Sequence, residues 1–300
     1  MLMSRKVTAL LVFLILFLIP LFSWAEYAPF AIVSDTHVGA SDSLYPAFIQ
    51  RMEKEQIKVI IHTGDAIQPP GDVHNWGTFF DIKGPLTILH LAPGNNDISG
   101  TASLEVYLKF FSKPYYSFSD GDTLFILLNT ELPGEESMIQ GKQLAWLKAE
   151  LQRTFRYKFV FLHQPLFPVI FHHGLDRHEK ARDTLHRLFV QNGVSLVVAG
   201  HDHIYHRTIN DGIVYVIMPP ARGQVPPFTE NGGSRYVVTT RKNNRFSLVV
   251  KDIRGNVMDE FFVTDGLHRG QYSFLRSEPI ANVFRKWYYP PFSLIPLFIP

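Results

Sequence analysis

The sequence predicts an α/β fold in which short buried strands alternate with helices and lead into a set of hairpins. Three apolar, β-branched runs each end in aspartate, namely 29–35, 57–65 and 85–97. Such runs are typical of buried strands. Between the first two, Leu44, Phe48 and Met52 recur with the spacing of one helix face. After residue 213, β runs are separated by turn residues. Together these observations favour one domain without internal repeats.

The later segments continue this plan along the chain. Periodic apolar residues predict helices over 43–56, 101–111, 141–155 and 182–193. Strands are predicted over 157–165 and 194–199, with a hairpin over 115–130. The segment from 213 onward is predicted to be an antiparallel meander. Loops that set specificity are predicted over 66–84, 131–140 and 164–181.

The two ends of the chain differ from its middle. Residues 1–25 carry Arg5 and Lys6, then an apolar run and small residues, which is typical of a secretory signal peptide. An uncleaved anchor is the alternative. We therefore expect an exported protein (periplasmic, extracellular or membrane-associated) with its domain over 26–266. Residues 267–300 are aromatic and proline-rich, which indicates either a strap or unordered end, or contact with a membrane surface or partner.

Charge and cysteine content exclude several classes of function. Without the two basic residues of 1–25, 27 Lys and Arg residues balance 27 Asp and Glu residues. That balance provides no basic footprint for nucleic-acid binding. The chain has no cysteine, which excludes thiolate metal sites, disulfides and cysteine nucleophiles.

Five polar stretches lie where a predicted strand gives way to a loop. They are Asp35-Thr36-His37, Gly64-Asp65, Gly94-Asn95-Asn96-Asp97, His163 and His201-Asp202-His203. Ligand sites in open α/β sheets gather beyond the carboxyl ends of strands. Asp, His and Asn supply the oxygen and nitrogen ligands that suit first-row metals. Each stretch alone is commonly a turn, but their shared position predicts one metal site.

In this order, the motifs resemble those of the calcineurin-like metallophosphoesterases, which are related to purple acid phosphatases and class III phosphodiesterases. The resemblance extends from Phe30 to Val263. It implies a four-layer α-β-β-α sandwich of two mixed β-sheets flanked by helices, which some schemes class as α+β. It also implies a dinuclear metal site at one edge of the sandwich.

The resemblance assigns seven metal ligands. It implies that Asp35, His37 and His203 bind one ion, that Asn95, His163 and His201 bind the other, and that Asp65 bridges both. Two ions of Mn, Fe or Zn would hold a hydroxide between them and bind the phosphoryl oxygens of a small phosphorylated substrate. No tyrosine follows closely after Asp65, which argues against the iron–tyrosine site of a purple enzyme.

Several further residues are predicted to support these ligands. Asp97 and Asp202 are expected to orient ligand histidines, and the alternative for Asp97 is a helix cap near residue 101. Arg207 is a candidate for binding substrate phosphate or for a surface ion pair. His206 is a candidate proton donor.

Asn96 departs from the family pattern. Where the family has Gly-Asn-His-Asp/Glu, the histidine contacts substrate phosphate and protonates the leaving oxygen. An amide donates a hydrogen bond but does not transfer a proton near neutral pH. Another histidine is therefore expected to supply the proton. The candidates, each of which is alternatively structural or solvated, are His62, His172, His173 and His206.

These observations predict an exported, binuclear-metal-dependent phosphoesterase that acts on phosphomonoesters or phosphodiesters. The alternative is a metal-binding protein of the same fold with weak or no turnover, because of Asn96. A third hypothesis, a nuclease, lacks a basic face in the composition.

Overall fold

In the computed structural model, twelve strands within the described residues, 28–223 and 233–265, form two six-stranded sheets. The first sheet contains β1 (Phe30–Val33), β2 (Val59–His62), β3 (Ile88–Leu91), β10 (Arg235–Lys242), β11 (Arg245–Asp252) and β12 (Val257–Val263). The second contains β4 (Tyr116–Asp120), β5 (Thr123–Leu127), β6 (Tyr157–Phe161), β7 (Leu196–Ala199), β8 (His206–Asn210) and β9 (Ile213–Ile217). The predicted signal peptide and the whole predicted C-terminal tail, 267–300, lie outside the described residues.

Both sheets are mixed. In the first, ordered β12-β11-β10-β1-β2-β3, strands β1 to β3 are parallel and β10 to β12 are antiparallel. In the second, ordered β4-β5-β6-β7-β9-β8, the four central strands are parallel and both edge strands are antiparallel to their neighbours. Each sheet therefore has a set of parallel strands whose carboxyl ends share one edge.

The structure corrects the prediction for the segment after residue 213. Only β10 to β12 form an antiparallel meander, whereas β9 lies in the second sheet and pairs in parallel with β7. All five residues of β9 are buried. The sequence Ile-Val-Tyr-Val-Ile has the continuous apolar character of a strand covered on both faces, not the alternation of a half-exposed hairpin.

Helices cover the outer face of each sheet. The first sheet carries α1 (Tyr45–Lys54), α2 (Val73–Lys83) and α3 (Thr101–Phe110), and the second carries α4 (Gly141–Leu151) and α5 (Glu179–Gln191), with a 3-10 turn at Leu175–His178 before α5. One apolar core lies between the sheets, and a further core lies under each set of helices. This arrangement confirms the four-layer α-β-β-α sandwich.

Helix α2 lies in a segment that the sequence placed in a loop. Its residues include Gly77 and several weak helix formers, so local propensity did not indicate it. The Asp72 side chain caps its first turn by accepting a hydrogen bond from the Asn75 backbone N–H at 2.8 Å. Trp76 and Phe79 are fully buried in the core below. Tertiary packing therefore stabilises a helix that its sequence alone favours weakly.

The described helices are short. None of them combines the length and the apolar character that a membrane-spanning segment requires.

Candidate metal centre

The seven predicted ligand residues lie on loops that follow strands at one edge of the sandwich. Three strands of the first sheet, β1, β2 and β3, precede the loops that carry Asp35 and His37, Asp65, and Asn95. Two strands of the second sheet, β6 and β7, precede His163 and the pair His201 and His203. The loops meet because the carboxyl ends of the parallel strands in both sheets face the same edge.

Four of these residues form a tight group, which we call the aspartate group: Asp35, His37, Asp65 and His203. One ligand atom from each lies within 4.8 Å of the others. The Nε2 atom of His203 is 3.1 Å from Oδ1 of Asp35, and Nε2 of His37 is 3.7 Å from Oδ2 of Asp65. Two carboxylates and two imidazoles at these distances form a donor set for a divalent or trivalent cation.

The other three residues, Asn95, His163 and His201, form the asparagine group. The Nε2 atom of His163 is 3.1 Å from Oδ1 of Asn95 and 3.1 Å from Nδ1 of His201. The same Nε2 atom is 3.3 Å from Oδ1 of Asp65. Asp65 therefore contacts both groups, which is the position expected of a bridging ligand.

The hydrogen bonding of the histidines fits a metal site. The Nδ1 atom of His163 lies 2.9 Å from the carbonyl oxygen of Thr63, which only accepts, so Nδ1 donates and Nε2 is directed at the other ligands. Both ring nitrogens of His37 and Nε2 of His201 are buried without a hydrogen-bond partner among the described residues. Buried ring nitrogens have a hydrogen-bond partner in most proteins, and a bound metal ion would coordinate these nitrogens in place of such a partner.

The electrostatics of the group also favour a cation. Burial lowers the pKa of His163, but the carboxylates of Asp65, Asp35 and Glu131 outweigh it and raise that pKa to about 9. Burial, together with His163 and His173, lowers the pKa of His201 to about 2. Neighbouring imidazoles thus differ in protonation, because carboxylates stabilise the charged form of His163 whereas burial and the charge of His163 disfavour that of His201. A metal ion would replace the proton on His163.

Five of the seven ligand residues have a positive φ. The angles are 52° for Asp35, 45° for His37, 55° for Asp65, 70° for His201 and 57° for His203. This region costs a non-glycine residue roughly 1–2 kcal/mol. Strained residues that cluster at one place are characteristic of functional sites, and here they turn each loop sharply back toward the common edge.

Two glycines allow the loops to approach one another closely. A β-carbon on Gly94 would lie 2.3 Å from Oδ1 of Asp65, and one on Gly64 would lie 2.5 Å from Nδ1 of His163. Neither position has room for a side chain. Gly64 and Gly94 directly precede Asp65 and Asn95, so the backbone beside two of the predicted ligands depends on glycine.

Asn96 contacts the bridging residue. Its backbone N–H donates to Oδ1 of Asp65 and its side-chain Nδ2 donates to Oδ2 of Asp65, each at 2.7 Å. The backbone and the side chain of Asn96 together therefore hold both oxygens of Asp65, the carboxylate that the two groups share. Asn96 also lines the pocket above the centre.

Asp97 supports the ligand loops through their backbone. Its carboxylate accepts hydrogen bonds from the N–H groups of Ala66 at 2.9 Å, Ile67 at 3.2 Å and Gly94 at 2.9 Å. Burial and the nearby Asp65 raise the pKa of Asp97 to about 7. These hydrogen bonds join Asp97 to the loop backbone and not to a ligand histidine, which differs from the predicted role. The alternative role as a helix cap is wrong, because the residue that caps α3 is Gly100.

Asp202 is connected to the centre through a histidine outside the ligand set. Oδ1 of Asp202 lies 2.8 Å from Nδ1 of His173, whose ring stacks on the ring of His201 with centroids 4.1 Å apart. The second oxygen of Asp202 accepts from the Val169 N–H at 2.6 Å. Asp202 therefore positions His173 against His201, a predicted ligand, and it also fixes the loop that carries His173.

The structure does not bring His206 and Arg207 into the pocket. Nε of Arg207 lies 2.9 Å from Oδ2 of Asp259, and the guanidinium packs 4.7 Å from the centroid of Phe261. Both residues lie on β8, an edge strand, and neither lines the pocket. The ion pair with Asp259 corresponds to the structural alternative for Arg207, and a role in binding substrate phosphate has no support from this placement.

The other two histidine candidates for the proton donor also have structural surroundings. His62 is fully buried, with Nδ1 accepting from the Gly64 N–H at 3.1 Å and Nε2 lying 3.0 Å from Oγ1 of Thr36. His172 is exposed, and its backbone N–H donates to Asp176 at 2.7 Å. Of the histidines proposed as proton donors, only His173 lines the pocket among the described residues.

A polar network that was not predicted from the sequence lies behind His163. Glu131 is almost fully buried, and Nε2 of Gln164 donates to both of its carboxylate oxygens at 2.9 Å. Burial raises the pKa of Glu131. The run Asn129-Thr130-Glu131 follows β5 and is a sixth polar stretch at a strand end. The rule that identified the other five stretches would have found it.

Comparisons with known proteins agree with this fold. Residues 28–205 match the family described as calcineurin-like phosphoesterase. Over 133 residues, the chain is 32% identical to the serine/threonine-protein phosphatase CPPED1 of Homo sapiens, in a match that covers 40% of this chain and 41% of that protein. The chain therefore matches less than half of the length of that relative.

Two solved structures share the fold. The purple acid phosphatase PPD1 of yellow lupin (Lupinus luteus) superposes with a TM-score of 0.66 at 17% identity, over 83% of this chain and 57% of its own. A dimetal phosphatase from Danio rerio superposes with a TM-score of 0.56 at 15% identity, over 80% of this chain and 99% of its own. At these identities the likeness concerns the architecture alone.

Proposed function

Because this chain belongs to the calcineurin-like phosphoesterase family, we propose that it is a binuclear-metal-dependent phosphoesterase. One observation carries the proposal: seven donor residues converge at one edge of the sandwich, with Asp65 in contact with both groups. The substrate would be a small phosphomonoester or phosphodiester, since the pocket above the centre holds about 320 Å³, at the small end of the range for ligand sites.

The residues present suit two ions. The aspartate group would hold one, and the asparagine group together with Asp65 would hold the other. When bound, the ions would supply an activated water nucleophile and neutralise the charge of the phosphoryl group. The oxygen and nitrogen donors suit Mn, Fe or Zn.

Residues around the centre would keep the ligands in order. Thr63 fixes the proton of His163 on Nδ1, which leaves Nε2 for an ion. Asn96 holds both oxygens of Asp65 and has a second side-chain N–H that is available to a phosphoryl oxygen in the pocket. Asn96 would therefore bind substrate without transferring a proton.

We propose His173 as the proton donor to the leaving oxygen. Its Nδ1 atom is hydrogen-bonded to Asp202, its ring is stacked on His201, and its side chain lines the pocket with 36% exposure. With Nδ1 held by Asp202, Nε2 is the atom that can pass a proton to a substrate oxygen. His173 would thus take the role of the histidine that the family pattern has at the position of Asn96.

We also propose that the protein is exported, on the basis of residues 1–25, which have a positive start, an apolar middle and small residues before position 26. Contact of residues 267–300 with a membrane surface is a further proposal from their aromatic and apolar composition. Fractionation of cells that express the full chain, with and without residues 1–25, tests the first proposal directly.

A second candidate function is metal binding with little or no turnover. Asn96 favours it, since both its backbone and its side chain are engaged with Asp65 and neither transfers a proton. The two candidates make the same prediction for metal content and opposite predictions for hydrolysis.

The test combines metal analysis with an activity panel. Protein loaded with Mn, Fe or Zn is assayed on phosphomonoesters and phosphodiesters, and we expect two ions per chain and turnover of at least one class. His173→Asn should lower kcat for substrates with poor leaving groups about 100-fold, whereas His74→Asn, on the exposed first turn of α2, should not. Two bound ions without hydrolysis of either class would favour the second candidate, especially if Asn96→His restored turnover.

A further inference from the structure

Two apolar side chains project from the loop beside the metal centre. Ile170 is 44% exposed and Phe171 is 67% exposed. Ile170 lines the pocket together with His173 and the ligand residues. Large apolar groups at the rim of a polar pocket are common features of binding sites. The rim formed by Ile170 and Phe171 is therefore a candidate for contact with the part of the substrate outside the phosphate.

The rim is held in place by buried carboxylates. Asp202 accepts hydrogen bonds from the backbone N–H groups of Val169 at 2.6 Å and Ile170 at 3.4 Å. On the other side of Phe171, Asp176 accepts from the His172 N–H at 2.7 Å. Asp202 and Asp176 are both buried. These hydrogen bonds fix the backbone on both sides of the two exposed apolar residues. The backbone position of Ile170 and Phe171 therefore does not depend on the packing of their own side chains.

The charges around the pocket argue against a second anionic group on the substrate. Among the described residues that line it, none is lysine or arginine, and Asp65 and Asp202 are acidic. Arg222, which influences His37 electrostatically, forms a bidentate pair with Asp42 at 2.6 and 3.1 Å. With the metal ions engaged by the first phosphate, a second phosphate or carboxylate would therefore find no lysine or arginine among these lining residues to pair with.

We infer that the site selects phosphate esters whose organic group is an uncharged alkyl or aryl group. The inference rests on the proposed function, because it assumes that the metal ligands hold the phosphate. A group that extends past the mouth of the pocket meets Ile170 and Phe171 and removes their apolar surface from water. Sugar, glycerol and polyphosphate esters gain no such contact.

Binding of alkylphosphonates, which the enzyme does not hydrolyse, tests the rim apart from turnover. Calorimetric titration of the Mn-loaded protein with ethyl-, butyl- and hexylphosphonate varies only the apolar length. We expect Kd to fall roughly tenfold from ethyl to hexyl, as partial burial of four methylenes predicts. Phosphonopropionate, which adds a carboxylate, should bind more weakly than butylphosphonate.

Two variants and one control test whether the dependence of Kd on alkyl chain length, which we call the gradient, arises from the rim. Ile170→Ser/Phe171→Ser should flatten the dependence of Kd on chain length, and Phe171→Ser alone, at the more exposed position, should reduce it. Val257→Ser/Met258→Ser changes an equally exposed apolar pair on β12, where Val257 is 60% and Met258 48% exposed, and should leave the gradient intact. Circular dichroism checks that each variant is folded.

The outcomes separate the inference from the proposed function. If the wild-type Kd does not depend on chain length, if no phosphonate binds, or if the gradient survives in both rim variants, the inference is overturned. Hydrolysis is measured in parallel with ethyl, butyl and hexyl phosphate, whose leaving groups differ little in acidity. Binding that strengthens with length without any hydrolysis would support the rim and contradict the phosphoesterase.

Discussion

The aspartate group and the asparagine group share Asp65 but differ in charge and in backbone conformation. The aspartate group contains two carboxylates, and all four of its residues have positive φ. The asparagine group has no carboxylate of its own, and only His201 has positive φ. Attraction to a cation grows with the charge of the ligands. We therefore expect the aspartate group to bind its ion more tightly and the asparagine group to exchange its ion more readily.

The largest expected effect comes from removing the residue that the groups share. Asp65→Asn takes away the only carboxylate of one ion and one of two carboxylates of the other. We expect metal content to fall below one ion per chain and kcat/KM to fall more than about 100-fold, beyond the 10–100-fold cost of losing an outer partner. Elemental analysis and steady-state kinetics measure both, with the half-exposed Asp183→Asn as the matched control. A variant that retained two ions would exclude the bridging role.

The difference between the groups is tested by removing one ligand from each. Asn95→Ala should leave about one ion per chain, because the aspartate group is untouched, whereas Asp35→Asn should weaken the tighter site. Titration of the metal-free variants with Mn, followed by calorimetry, should show one remaining tight site in Asn95→Ala and only weak binding in Asp35→Asn. Equal loss of affinity in the two variants would contradict the ranking of the groups.

The candidate ligand residues could be predicted because the ends of buried strands are recognisable in the sequence. Asp35, Asp65 and His201 each follow an apolar run, and parallel strands bring such positions to one edge. The order of strands within a sheet is not recognisable in this way: β9 pairs with both β7 and β8 in the second sheet, and its sequence alone did not distinguish this arrangement from an antiparallel meander with β10 to β12. Helix α2 was missed because the packing of Trp76, and not local propensity, stabilises it.

The supporting residues were harder to predict than the ligands. Asp97 bonds to backbone N–H groups from two loops, and Arg207 pairs with Asp259, 52 residues further along the chain. Such partners are decided by three-dimensional packing, and no local spacing indicates them. The predicted positions of the ligands are therefore more informative than the predicted roles of their neighbours.

A smaller effect is expected from Asn96→Ala. The substitution removes the side-chain hydrogen bond to Oδ2 of Asp65 and leaves the backbone bond to Oδ1. Outer partners of metal ligands typically contribute 10–100-fold in affinity, so we expect a loss of about tenfold in Mn affinity. Because Asp65 belongs to both groups, both binding steps should weaken together. If titration showed unchanged affinity, the bond from Asn96 would have no part in positioning Asp65.

The last expected effect changes stability and leaves metal binding and turnover aside, and it extends the comparison to the residues behind each group. Buried Glu131 lies behind the asparagine group, and buried His62 lies behind the aspartate group, where it contacts Thr36 and Gly64. Oγ1 of Thr36 donates to the Ala66 carbonyl oxygen, so Nε2 of His62 donates to Thr36 while Nδ1 accepts from Gly64. Both ring nitrogens of neutral His62 are thereby satisfied.

Protonation of His62 would add a hydrogen to Nδ1, and this N–H would then face the backbone N–H of Gly64. Burial lowers the pKa of His62 from 6.5 to about 3. Since the unfolded chain then binds more protons than the folded chain, this contribution to stability is complete above pH 6.5 and is lost as the pH falls toward 3. At pH 5 the loss is about 2 kcal/mol, from 1.5 pKa units at about 1.36 kcal/mol each. Urea unfolding of the metal-free protein at pH 7.5 and pH 5 measures it. His62→Gln removes the titrating group. Between pH 7.5 and pH 5, the free energy of unfolding of this variant should therefore fall by about 2 kcal/mol less than that of the wild type. Equal losses in the two proteins would show that His62 does not titrate on unfolding.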